Sequence, residues 1–217
     1  MDAAKASTPG NDEKLFLILV VTLAIVTGVG SWFAVMILSH HEKLHATAPE
    51  QPRQLVNFSL IDSTGRTVTE EELKGKILAV SFLFTGCAVT CPEVSKRMAE
   101  IQRLTAGQTD VRLVSLTVDP RTDTPAVLEK WGDHYGADTN RWLMLTGRKA
   151  TLYELIGTSF LKTDAADPFN SMPGNFTGTE RIAVVDKHGA VRAFFDGLQP
   201  ETPAAVVAEM NQLRQEK

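Results

Sequence analysis

Residues 77–92 read ILAVSFLFTGCAVTCP, and the fold turns on their middle. Positions 77–84 are a nearly unbroken apolar run, as expected for a strand buried on both faces by covering helices. From Cys91 onward the period changes: Val94, Met98, Ile101 and Leu104 recur at helical spacing over residues 91–104. A buried strand therefore hands over to a helix within Thr85-Gly86-Cys87-Ala88-Val89-Thr90-Cys91-Pro92. That handover holds both cysteines of the 217-residue chain.

The alternation continues on both sides. Residues 111–118 read as a second strand ending in Asp119-Pro120. Thr124-Pro125 has the cap-then-proline signature of a helix start, with Leu128, Trp131 and Tyr135 as its apolar stripe. Residues 142–145 form a third strand, and Leu152, Leu155, Ile156 and Phe160 mark the helix after it. Residues 181–186 and 191–196 flank Lys187-His188-Gly189-Ala190 as an antiparallel hairpin. Thr202-Pro203 opens a last helix with Val206, Val207, Met210 and Leu213 inward. Upstream, residues 57–60 and 67–68 make a small hairpin around Ser63-Thr64-Gly65. The order β-α-β-α-β-α-β-β-α implies an α/β domain, a mixed central sheet with helices on both faces.

Apolar residues are 43% and charged residues 22% of the chain, a globular composition. The net charge is −4 and no long run of Lys or Arg occurs, which argues against a nucleic-acid partner. Residues 15–38 hold no charged side chain across 24 positions, whereas a spanning helix needs about 20. A cleavable signal has an apolar core of about 7–15 residues, so this segment reads as a retained transmembrane anchor in a lipid membrane. Ala46-Thr47-Ala48 resembles a cleavage site but lies well beyond the apolar run. The expected order is a tail at 1–14, the anchor at 15–38, a polar linker at 39–54 and a domain at 55–217. Lys5 and Lys14 before the anchor nearly balance Lys43 and Arg53 after it. Short N-terminal tails before such anchors usually stay inside. With no Arg-rich transit peptide, the expected place is a bacterial inner membrane, single-pass, with the domain facing the periplasm or cell exterior.

Two cysteines four apart on a regular helix have Cβ atoms about 5–6 Å apart, too far for a disulfide, which needs about 3.5–4.5 Å. Cys87 must therefore sit on the loop before the helix and curl toward Cys91 in its first turn. Pro92 fits that turn, whose N–H groups lack intrahelical partners. Both sulfurs then lie near a helix N-terminus, whose partial positive charge favours thiolate. Such a pair can exchange with another disulfide or hold Cu(I) on two soft ligands. A structural disulfide would more usually join distant segments, and a zinc site would need four nearby ligands.

Taken together these residues resemble the Sco/SenC family, membrane-anchored proteins of thioredoxin-like fold that help mature the dinuclear copper centre of cytochrome c oxidase. The resemblance runs from about Val56 to the last helix. It is carried by Glu72-Leu73-Lys74-Gly75-Lys76, by Phe84-Thr85-Gly86-Cys87 with Cys91-Pro92, by Val118-Asp119-Pro120-Arg121-Thr122-Asp123-Thr124-Pro125, and by Leu145-Thr146-Gly147. The family's copper-ligand histidine precedes the final hairpin; counting back from Gly189 puts that position on Gly178. Its absence weakens the case for Cu(II), which suits imidazole, and leaves two thiolates suited to Cu(I). Met172 is a candidate thioether ligand but reads better as packing. His188 reads as a turn residue, His134 as surface, and His40, His41 and His45 as a membrane-interface segment rather than a metal relay.

The resemblance and the pair together point to a thiol–disulfide oxidoreductase acting through Cys87 and Cys91. The lower-pKa, more exposed cysteine would attack and the other resolve, and Cys87 is taken as the attacker because it precedes the helix. It would keep cysteines reduced on the copper-binding subunit of a respiratory oxidase and be recycled by a membrane-linked thiol reductant. The alternative is a metallochaperone delivering Cu(I) from Cys87 and Cys91. A peroxidase fits less well, because Leu83-Phe84-Thr85-Gly86 lacks the Pro-x-x-x-Thr/Ser-x-x-Cys approach to the nucleophile.

Overall fold

The computed structural model describes residues 47, 49, 53–160 and 179–216. The expected anchor at 15–38 lies outside the described residues, as do His40, His41, His45, Met172 and Gly178. Among the described residues, no helix is long and apolar enough to cross a membrane.

The centre is β4 (Ile77–Leu83), whose seven residues are all buried, as the apolar run predicts. It pairs in parallel with β5 (Val111–Thr117), from Ile77 against Val111 to Leu83 against Thr117. Beyond β5, β6 (Trp142–Thr146) continues the parallel set. On the other side β7 (Arg181–Val185) runs antiparallel to β4, and β8 (Ala190–Asp196) returns along β7. The turn between them is the expected hairpin, with Gly189 at φ 83°. The leading hairpin, β2 (Ser59–Asp62) and β3 (Thr67–Thr69), closes the far edge by pairing β2 against β6. Gly65 takes φ 85° in its turn, a left-handed conformation that costs glycine little.

The near edge departs from the sequence reading. Arg53 and Gln54, within the stretch read as linker, form β1 (Arg53–Gln54) against β8, and Thr47 bridges Phe194 through two 3.0 Å backbone hydrogen bonds. Edge pairing of this kind uses backbone groups alone, so it leaves no apolar signature in the sequence. Among the described residues the sheet order is β1-β8-β7-β4-β5-β6-β2-β3.

Strand alternation feeds two cores. Ile77, Ala79 and Leu83 face α2 (Thr90–Leu104), α3 (Pro125–Tyr135) and α5 (Thr202–Gln215), meeting Val94, Met98, Ile101, Leu128, Val206 and Met210. Leu78, Val80 and Phe82 face α1 (Glu70–Leu73) and α4 (Lys149–Ser159), meeting Leu73, Leu152, Leu155 and Ile156. Fully burying a side chain of this size stabilises by about 1.5–3 kcal/mol. Leu104 departs from the expected stripe at 38% exposure. Thr105, four residues after Ile101, is buried instead; its hydroxyl donates to the Ile101 carbonyl at 2.8 Å, and Arg141 donates to its carbonyl.

One polar chain crosses the α2 side of the sheet. The Trp142 indole N–H donates to Ser115 Oγ at 2.9 Å, and Ser115 Oγ lies 2.8 Å from Ser81 Oγ, all three residues being buried. Replacing Ser115 with Ala leaves a buried N–H without its acceptor, which costs about 1–3 kcal/mol. Urea denaturation of Ser115→Ala is expected to show a loss of that size. An unchanged midpoint would mean that this chain does not hold the three parallel strands.

Candidate functional site

The site forms where β4 and β5 end together. Beyond Leu83, Phe84 closes a turn by accepting the Cys87 N–H at 3.0 Å, and α2 begins at Thr90. Helices usually satisfy a first-turn N–H with a side-chain oxygen from the residue before them. Here that residue is Val89, which offers none, and the Cys91 N–H donates to Cys87 Sγ at 3.2 Å instead. The Cys87 sulfur itself caps the helix. This is the curled loop-to-helix geometry expected from the four-residue spacing, with Pro92 in the first turn.

The two cysteines are free thiols in unlike surroundings: Cys87 is half-buried, and Cys91 is fully buried. Burial pushes the Cys87 thiol up, but hydrogen bonds from the Cys91 thiol and from the Cys91, Val89 and Thr90 N–H groups outweigh it. The net effect holds Cys87 below the ordinary cysteine value. Burial pushes Cys91 up to about 12, and its bond to Cys87 adds to the rise. The Phe84 backbone and the Thr179 side chain hydrogen-bond Cys91 and pull the other way. One thiol is thus set up to ionise, and its neighbour is kept protonated.

Thr179 is a site residue that the sequence reading missed. It is 6% exposed and follows Gly178 in sequence, where the family resemblance leads one to expect a histidine. Just after β8, Gly197 holds this segment against α2. Its N–H donates to the Glu180 carbonyl at 2.6 Å, and a Cβ there would lie 2.8 Å from that oxygen and 3.0 Å from Val94 Cγ2. No side chain fits so close an approach.

The described histidines are exposed, as expected of a turn and a surface residue. His188 is exposed in the β7–β8 turn, at the end of β7 opposite Thr179. His134 is exposed on α3, edge-on to Tyr135 with ring centroids 4.8 Å apart. Among the described residues, no group of three or more His, Cys, Asp or Glu side chains is placed to hold a metal ion. Among the described residues the soft donors here are the two cysteine sulfurs, and a pair of thiolates suits a soft cation such as Cu(I).

The model of the family described as SCO1/SenC matches residues 46–215, nearly all of the described chain. The SCO1 protein homolog of Bacillus subtilis (strain 168) is 36% identical over 91 residues, covering 42% of this chain and 47% of that protein. The SCO2-like protein of Rickettsia felis is 30% identical over 136 residues, covering 60% of this chain and 65% of that one. The chain thus spans about half to two thirds of the length of these relatives. Among solved structures, a SCO1/SenC family lipoprotein from Bacillus anthracis superposes with a TM-score of 0.64 at 26% identity, covering 77% of this chain and 100% of that one. BsSco, described as a member of the Sco family of cytochrome c oxidase assembly proteins with a disulfide switch, gives a TM-score of 0.65 at 23% identity, covering 79% and 99%. The mixed sheet and the helices on its two faces are thus the thioredoxin-like plan of these proteins, and the chain belongs to the SCO1/SenC family.

Proposed function

We propose that the chain is a membrane-anchored thiol–disulfide oxidoreductase serving cytochrome c oxidase copper-centre assembly, keeping the cysteines of a copper-accepting subunit reduced. The observation that carries this reading is the asymmetry of the pair: Cys87 half-buried with its thiol shifted down, Cys91 buried with its thiol pushed up to about 12. The oxidase connection rests on membership of the family and on the description of BsSco. The anchor at residues 15–38 rests on their apolar, uncharged sequence.

The reaction balances as two exchanges. Cys87 thiolate attacks one sulfur of a partner disulfide; a Cys87–partner bond forms, and the other partner sulfur leaves as thiolate. Cys91 then gives its proton to that thiolate or to water and attacks Cys87 Sγ. The Cys87–Cys91 bond forms, and the second partner sulfur leaves. Two electrons pass to the partner, and a membrane-linked thiol reductant restores the pair. Holding Cys91 protonated keeps it from competing with Cys87 for the first attack.

A second reading, Cu(I) carried as cargo on the two sulfurs, is favoured by their direct contact and by the soft donor set. It requires both thiols to ionise, which Cys91 resists unless the metal displaces its proton. Titrating the reduced protein with Cu(I) against a competing chelator separates the two. Tight binding of one copper per chain supports the carrier, and its absence leaves exchange chemistry alone.

Three outcomes are expected. Iodoacetamide at neutral pH labels Cys87 first, because the thiolate is the nucleophile and Cys87 is the thiol shifted down; Cys91 is labelled only on unfolding. Peptide mapping that finds Cys91 labelled first would reverse the roles. Cys87→Ser and Cys91→Ser each abolish turnover of a disulfide substrate while the fold is kept, and Cys91→Ser accumulates the mixed disulfide. Turnover retained by both variants would sink the mechanism. Gly178→His strengthens Cu(II) binding, read from the copper absorption spectrum; a spectrum matching the unmodified chain would show that the ligand position is elsewhere.

A further inference from the structure

Asp123 lies in the loop between β5 and α3, one residue before the Thr124 that precedes Pro125, and its exposure is zero. A carboxylate removed from water must have its oxygens answered by donors. Among the described residues the donors come from two threonines. The Thr85 N–H donates to both oxygens at 3.2 and 3.3 Å, and the Thr85 hydroxyl donates to Oδ1 at 2.5 Å. The Thr117 hydroxyl, at the last residue of β5, donates to Oδ2 at 2.5 Å. The loop that carries Asp123 is itself fixed. Its N–H donates to the Asp119 carbonyl at 2.9 Å, and the Asp119 N–H donates to Thr117 Oγ1, also at 2.9 Å.

Thr85 is two residues before Cys87 and inside the turn that Phe84 and Cys87 close. It is half-buried, and loop residues of this kind are ordinarily free to move with solvent. Thr85 is instead held at both its backbone and its side chain by one buried group from a different segment of the chain. Paired donors on one carboxyl group fix direction as well as distance.

We infer that Asp123 is a positioning residue for Cys87: by clamping Thr85 it fixes the turn that places the Cys87 sulfur over the first N–H groups of α2. The inference rests on the proposed exchange function, and it names the group that makes the attacking sulfur ready before a partner arrives. Preorganisation of this kind acts on rate, because the loop is not ordered anew at each encounter.

The test measures capture of Cys87 in the reduced full-length protein by an aromatic disulfide, 5,5′-dithiobis(2-nitrobenzoate), at one fixed pH. Asp123→Asn keeps the shape but replaces one acceptor oxygen with an amide group, and Thr85→Val keeps the shape but removes the hydroxyl. Each is expected to slow capture by about tenfold, the rate equivalent of one hydrogen bond. The double variant is expected to be no slower than the slower single, because both break the same clamp. The urea midpoint is read alongside, since a purely architectural role would lower it without slowing capture. A folded Asp123→Asn that is captured at the unmodified rate overturns the proposal, and so does a double variant whose losses multiply. Should Asp123→Asn fail to fold, Thr85→Val decides alone, an unmodified rate overturning the proposal. An unmodified protein that the reagent does not touch defeats the exchange function instead, so the two failures are told apart.

Discussion

The parallel pairing of β4 with β5 is the constraint on which the rest depends. Its seven matched positions end together, Leu83 beside Thr117. Both chains therefore leave the sheet at the same edge, where strand carbonyls and N–H groups run out of sheet partners. The Val118 N–H still reaches back to the Leu83 carbonyl at 2.8 Å. Beyond that bond the two loops hold each other through side chains. A slip of one residue in this register would turn Phe82 toward the wrong core and carry the cysteine loop away from Asp123.

Burial on both faces of β4 is what makes such a slip costly. One face is filled by α2, α3 and α5, and the other by α4 with the leading hairpin. The antiparallel strands β7 and β8 then complete the site from the opposite side, since β7 begins just after Thr179. The buried sulfur thus meets two separate stretches of chain: the turn after β4 running into the first turn of α2, and the segment entering β7. These are far apart in sequence, and the sheet brings them together.

Much of this was legible in the residues. Strands 77–84, 111–118 and 142–145 announced themselves because a doubly buried strand has no polar face to hide. Their helices announced themselves through apolar period and the Thr-Pro starts. The curl of Cys87 toward Cys91 followed from the mismatch between helical spacing and disulfide reach. The polar contributions were not legible. Asp123 sits in Asp-Pro-x-x-Asp-Thr-Pro, where an aspartate reads equally well as turn chemistry, and nothing in one sequence shows that it is buried or that Thr85 is its partner. Thr179 gave no signal, because a hydroxyl near a sulfur leaves no pattern. β1 escaped because backbone pairing at a sheet edge is indifferent to side chains.

The missing oxygen cap at the head of α2 sets speed against driving force. A sulfur that serves as a helix cap is stabilised as an anion, which makes it quick to react but also holds its electrons more firmly. Once Cys87 enters a disulfide it is neutral and a poor acceptor, and α2 begins with an unanswered N–H, a loss of about 1 kcal/mol by analogy with other caps. The reduced form is then the better-capped fold, and the bridge is no staple. In the proposed exchange this favours reloading of the pair and opposes the handing on of its electrons, so the partner disulfide must be the stronger oxidant by that difference.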